Sequence, residues 1–183
     1  IRGPHVFLGY FKDPEATAAA LTGEGWLRTG DVGRIDGDGF VHVTDRKKDI
    51  LITSGGKNVS PQNIEGQLAR IPGVAHAVVV GDARKHLAAL LTLDREAALR
   101  EGRACGAAGG TIEALCLDPL FIDRIAQGVD EVNRGLASYE TIKKFRLLPV
   151  EFGIESGELT PTLKLRRKAV NQRFAREIEE LFT

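Results

Sequence analysis

The chain contains no methionine, only two cysteines, one tryptophan and two tyrosines in 183 residues. Without Met it carries no start residue, so Ile1 is expected to lie inside a longer protein or to follow a removed segment. Cys105 and Cys116 are too few for a disulfide framework, and their spacing matches no zinc or redox pattern. Net charge is also missing: 25 basic residues balance 25 acidic ones. A general nucleic-acid binder would show a basic excess, so that class is set aside. No apolar run approaches the roughly 18 residues of a membrane-spanning helix. The first residues lack the basic-then-apolar order of a signal peptide. These absences point to a reducing, cytoplasmic setting.

Several chemical signatures fail in turn. Asp36-Gly37-Asp38-Gly39 resembles the start of a calcium loop, but an EF-hand needs an oxygen ligand where Phe40 stands and Gly where Val41 stands. Ser54-Gly55-Gly56-Lys57 has glycines and a lysine without the spacing of a P-loop. His5, His42, His76 and His86 show no metal-ligand spacing, and no metal site is expected. There is no G-x-S-x-G elbow.

What is present describes an ordinary globular chain, 43% hydrophobic and 27% charged. Asp13-Pro14 predicts a turn and a short helix through Leu21. The alternation from Phe40 to Val43 after an Asp-Gly turn predicts a hairpin. Ile50–Thr53 is β-favouring, Gly55-Gly56 supplies a turn, and Ser60-Pro61 starts a helix, because Pro fits the first helical position. Ile64, Leu68 and Ile71 follow at helical spacing. Val74–Val80 and Leu87–Leu93 read as strands of one sheet. Glu96–Ala108 reads as a helix, and Asp118-Pro119 opens another, with Phe121, Ile125, Val129, Val132 and Leu136 as its apolar stripe. Phe145–Leu148 is a strand. A turn-rich loop at 157–168 then leads into one last helix bearing Leu165, Val170, Phe174, Ile178 and Leu181. The fold class is α+β: helices packed on a small mixed β-sheet over 46–183, preceded by a β-rich piece, 1–45.

Two charge features stand out. Arg46, Lys47, Lys48 and Lys57 gather around one small hairpin. The last helix carries Arg166, Arg167 and Lys168 at its start and Glu177, Glu179 and Glu180 at its end, against the helix dipole at roughly 0.3–1 kcal/mol per exposed charge. Arg173–Glu177 and Arg176–Glu180 have the i,i+4 spacing that recovers a few tenths each. The helix is either a solvated one with tolerated charges, or the cluster beginning at Lys164 faces an anion supplied from elsewhere.

Four stretches taken in order carry a family resemblance: "GYFKDPEAT" (9–17), "GWLRTGDVG" (25–33), "DRKKDILITSGGKNVSPQNIE" (45–65) and "GELTPTLKLRRK" (157–168). They resemble the C-terminal part of adenylate-forming enzymes, which include acyl-CoA synthetases, luciferases and peptide-synthetase adenylation domains. The last two look most like long-chain fatty acid–CoA ligases. The resemblance covers essentially the whole chain. It implies that 1–45 ends a large adenylation domain and that 46–183 is a mobile C-terminal domain. The phosphate loop and acyl tunnel would lie upstream, so the fragment is expected to be inactive alone.

The resemblance implies two-step chemistry. ATP and a fatty acid give an acyl-adenylate and pyrophosphate, and the thiol of coenzyme A then displaces AMP. Mg2+ is expected with ATP, without identifiable ligands here. Lys164 would supply the cation near the α-phosphate and carboxylate oxygen, although an isolated lysine is ordinarily just solvated. Many members have Gly before that lysine, where this chain has Leu163. Asp31 would bind the ribose hydroxyls and Arg46 the ribose or a phosphate; the plain alternatives are a turn aspartate and a surface cation. Lys48 falls at the hinge. Gly55 matches the glycine past which the pantetheine arm runs, and it also reads as a hairpin turn. Lys57 falls where a cation often meets nucleotide or coenzyme A. The partners would be fatty acid, ATP, coenzyme A and the upstream domain. Peripheral membrane contact would suit a lipid substrate, though no segment demands it. Two alternatives remain: a fatty acyl-AMP ligase that loads a carrier protein, and a non-catalytic nucleotide-binding module.

Overall fold

A computed structural model describes all residues, Ile1–Thr183. The chain divides into two compact units, Ile1–Lys48 and Asp49–Thr183.

The first unit holds one helix, α1 (Pro14–Ala20), and one antiparallel hairpin, β1 (Asp31–Ile35) with β2 (Val41–Arg46). Helix α1 begins where the sequence predicts. Pro14 sits in its first turn, and the Asp13 side chain accepts the Ala16 N–H at 2.9 Å. The hairpin turn is built by Asp36, whose Oδ1 accepts the N–H groups of Asp38 and Phe40. His42 Nε2 lies 2.6 Å from Asp36 Oδ2, a contact that closes the turn. The ladder shifts register at Val32/Gly33. A Cβ at Gly33 would meet the His42 carbonyl at 2.6 Å, so the bulge requires glycine.

The second unit opens with a two-residue ladder, β3 (Leu51–Ile52) with β4 (Asn58–Val59), and helix α2 (Pro61–Leu68). Strands β5 (Val74–Val80) and β6 (Leu87–Leu93) pair antiparallel. Three helices follow: α3 (Arg95–Cys105), α4 (Ile112–Leu115) and α5 (Pro119–Arg134). Strand β7 (Ile142–Leu148) pairs parallel to β6, so the sheet order is β5-β6-β7. Every residue of central β6 is buried, which explains its uninterrupted apolar run. Period-two alternation sends its side chains to two cores. Ala89, Leu91 and Leu93 join Ile64, Leu68, Phe121 and Ile125 on one face. Ala88 and Leu90 join Phe152, Val170, Phe174 and Leu181 on the other. Each fully buried Leu contributes about 1.5–3 kcal/mol.

The single final helix expected from the sequence is two: α6 (Arg167–Arg173) and α7 (Ala175–Glu180). The break falls at Phe174, with φ −108° and ψ 28°, whose ring is buried near Phe152 at 5.9 Å between centroids. Burying that ring wins over an unbroken backbone ladder. The charges of α7 are also met from outside the helix. Glu179 pairs with Arg84, and Glu180 pairs with Arg146 at 2.9 Å and Arg176 at 3.0 Å. The expected Arg176–Glu180 pair is present, whereas Arg173 pairs with Glu158 rather than Glu177. Helix α4 is too short for a periodic signal and is not visible in the sequence. No helix is long and apolar enough to cross a membrane.

Candidate functional site

The structure brings Asp31 and Arg46 together. They face each other across the β1–β2 ladder, and Arg46 Nε donates to Asp31 Oδ1 at 2.8 Å. The turn before β1 sets this up. Gly30 has φ +75°, and the Asp31 N–H donates to Thr29 Oγ1 at 3.1 Å. The Lys47 N–H returns to the Gly30 carbonyl at 2.8 Å, which fixes the end of β2 beside that turn. Arg46 and Lys48 line a cleft of about 490 Å3 with Tyr10, Ala16, Arg28 and Thr29, all in the first unit. Lys48 is the last residue of that unit.

Gly55 and Lys57 belong to the second unit, on the loop between β3 and β4. The Gly56 N–H donates to the Thr53 carbonyl at 2.8 Å, and the Thr53 N–H to the Lys57 carbonyl at 3.0 Å. This is a three-residue hairpin loop that closes with a left-handed residue. Gly56 is that residue, at φ +73°. Gly55 is not left-handed, and a Cβ there would meet only Thr53 Oγ1 at an ordinary 3.9 Å. The turn therefore demands glycine at 56 and not at 55. Lys57 Nζ lies 5.8 Å from the centroid of the Tyr139 ring, a half-exposed aromatic that sequence reasoning passed over.

Lys164 rides on a different hairpin. Leu159 bridges Leu165, the Thr160 N–H donates to the Lys164 carbonyl at 2.8 Å, and the Lys164 N–H donates to Thr160 Oγ1 at 3.0 Å. Leu163 has φ +58°, a left-handed conformation that glycine adopts freely and leucine only under strain of about 1–2 kcal/mol. The Lys164 side chain is exposed. Arg166, Arg167 and Lys168 line a cleft of about 470 Å3 with Asp49 and Gln172. Only part of this cluster faces outward, because Arg167 already has an internal anion. Its Nη2 lies 2.7 and 2.8 Å from the two carboxylate oxygens of Glu65.

Glu158 is the other missed residue. It is 1% exposed and accepts from Ser156 Oγ, Arg173 and the Gly153 N–H. Burial pushes its carboxyl up, yet the hydrogen bonds from Ser156, Arg173 and Gly153 outweigh that and hold it at about 2. Both cysteines are free, and burial together with Glu113 pushes the Cys116 thiol up to about 11, away from nucleophile chemistry. No three His, Cys, Asp or Glu side chains converge on a metal site.

The chain belongs to the AMP-binding enzyme C-terminal domain family, whose model matches residues 48–183. It is 45% identical over 185 residues to the long-chain-fatty-acid–CoA ligase FadD15 of Mycobacterium tuberculosis, covering 100% of this chain and 30% of that protein. It is 36% identical over 198 residues to the mouse long-chain-fatty-acid–CoA ligase ACSBG2, covering 98% of this chain and 30% of that one. The chain thus spans about 30% of the length of these curated relatives. Among solved structures, the adenylation domain of a carboxylate reductase from Mycobacterium chelonae superposes with TM-score 0.80 at 28% identity, over 97% of this chain and 26% of that one. The corresponding domain from Segniliparus rugosus, in complex with AMP and a co-purified carboxylic acid, gives TM-score 0.80 at 27% identity, over 100% and 27%.

Proposed function

We propose that this chain is the C-terminal part of an ATP-dependent long-chain fatty acid–CoA ligase. The observation that carries the reading is identity of 45% to such a ligase along the whole chain. The fragment is inactive alone, since the acyl tunnel and phosphate loop belong to residues upstream. The first unit, with Asp31 and Arg46, ends the adenylation domain. The second is the domain that rotates about Lys48, at the boundary between the units.

In the first step Lys164 supplies positive charge where a carboxylate oxygen attacks the α-phosphate of ATP and charge moves between them. A lysine is a point charge on a long stem, suited to reaching in from a separate unit. Asp31 accepts the ribose hydroxyls, and Arg46 holds it in place and contacts the nucleotide. Mg2+ would accompany the triphosphate and offset its charge, and no residue of this chain is assigned to hold it. Rotation about Lys48 then withdraws Lys164 and presents the Gly55 hairpin. The open space at Gly55 admits the pantetheine arm, and Lys57 meets an anionic part of coenzyme A. The thiol sulfur attacks the acyl carbon and AMP leaves. A cytoplasmic enzyme with peripheral membrane contact fits a lipid substrate.

The test is product analysis with the full-length ligase, palmitate, ATP and coenzyme A. Palmitoyl-CoA, AMP and pyrophosphate are expected in equal amounts. Accumulation of palmitoyl-adenylate that coenzyme A does not consume would move the assignment to a fatty acyl-AMP ligase. Nucleotide binding without adenylate or thioester formation would leave a non-catalytic nucleotide-binding module.

A further inference from the structure

The Lys164 hairpin is short, exposed and strained at Leu163, yet a catalytic cation has to be delivered to a fixed place. One end of the hairpin runs into the buried carboxylate of Glu158 and the other into the mostly buried one of Glu65. At the incoming end the Arg166 N–H donates to the Glu158 carbonyl at 2.7 Å, and the Leu159 N–H to the Gly153 carbonyl at 3.0 Å. The Glu158 side chain turns inward and gathers Ser156, Gly153 and Arg173. It thereby ties the start of the hairpin to the far end of α6. At the outgoing end Arg167, the first residue of α6, reaches across to α2 and β5. Its Nη2 meets both oxygens of Glu65, and its Nη1 donates to the Val79 carbonyl at 2.9 Å. Glu65 Oε1 also accepts the Val79 N–H at 2.7 Å. Val79 lies in β5, an edge strand of the sheet, so these two side chains stand where a further strand would. The Arg167 and Glu65 side chains are only 15% and 11% exposed.

We propose that Arg167, locked to Glu65 and Val79, and Glu158, locked to Arg173, are positioning residues that hold the Lys164 hairpin at both feet and set where its ammonium is delivered. This rests on the reading of Lys164 given above. Neither side chain touches substrate; each acts through Lys164. The reason to hold the turn from below is its strain. A left-handed leucine persists only where the surroundings over-determine it. Within the turn itself the hydrogen bonds to Thr162, Leu163 and Lys164 all run through Thr160. Arginine is required at 167 because one planar group must serve a carboxylate and a carbonyl at once, which a lysine ammonium cannot do in the same geometry.

The experiment uses the full-length ligase with three substitutions, Arg167→Met, Arg167→Lys and Glu158→Gln, beside Lys164→Ala. Adenylate formation from ATP and palmitate is measured separately from thioester formation from supplied palmitoyl-adenylate and coenzyme A. Thermal melts accompany each variant. A displaced cation lowers the adenylation kcat about tenfold to a hundredfold. The thioester step stays near the unsubstituted rate, and KM for ATP stays constant. Arg167→Lys falls between Arg167→Met and the unsubstituted protein. If Arg167→Met does not accumulate folded, Arg167→Lys and Glu158→Gln decide on the same split. Equal loss in both half-reactions, or no loss in either, overturns the positioning role. If Lys164→Ala itself lacks the split, the reading of Lys164 falls as well. If Lys164→Ala shows it and the others do not, only the positioning role falls.

Discussion

Arg46 Nε donates to the Asp31 carboxylate at 2.8 Å across a ladder in which the two residues are direct partners. The pair is too open to water to hold the hairpin: the side chains are 61% and 30% exposed. Such a pair is worth about 0–1 kcal/mol of stability. Under the proposed function its value is in presenting an oriented carboxylate. Asp31→Asn in the full-length ligase is therefore expected to leave the melting temperature nearly unchanged. If Asp31 binds the ribose as proposed, loss of charged hydrogen bonds worth about 1.5–3 kcal/mol raises KM for ATP by roughly ten- to a hundredfold. A large fall in melting temperature with unchanged KM would make Asp31 a structural residue.

The adjacent glycines separate conformation from access. Gly56→Ala places a side chain in a left-handed position and costs about 1–2 kcal/mol, read as a lower urea midpoint. Gly55→Ala removes only chain entropy and stabilises by about 0.4–1 kcal/mol. Under the proposed function it still slows thioester formation and spares adenylation. A Gly55→Ala enzyme with an unchanged thioester rate would reduce Gly55 to a turn residue.

Acid should loosen the second unit through Glu158. Its carboxyl titrates at about 2 when folded against an ordinary 4.5. The unfolded chain takes up that proton first. The stabilisation is thus fully present above about pH 4.5 and is lost progressively as pH falls toward 2. Urea unfolding of the full-length ligase at successive pH values from 6 to 3 reads the slope. Glu158→Gln should flatten it, and an identical slope in the variant would mean that other carboxylates carry the acid sensitivity.

Much of the second unit was legible because its signals are local. The apolar run of β6, the Pro61 helix start and the Phe121–Ile125–Val129 stripe each state their burial within a few residues. The break at Phe174 was not, because helical periodicity continues through it and only the position of Phe152 decides the matter. The cations at 166–168 are plain in the sequence, yet Arg167 answers to Glu65, 102 residues away. Nothing local marks Glu158, because its partner Arg173 stands 15 residues further on, at the end of α6. Gly55 and Gly56 were indistinguishable as letters; backbone dihedrals separate them.

The central claim is that Lys164 serves adenylation and not thioester formation. The full-length ligase carrying Lys164→Ala tests it most directly, with each half-reaction assayed alone. The account predicts that adenylate formation from ATP and palmitate collapses, while supplied palmitoyl-adenylate is still converted to palmitoyl-CoA. Two intact half-reactions, or equal loss in both, would contradict it.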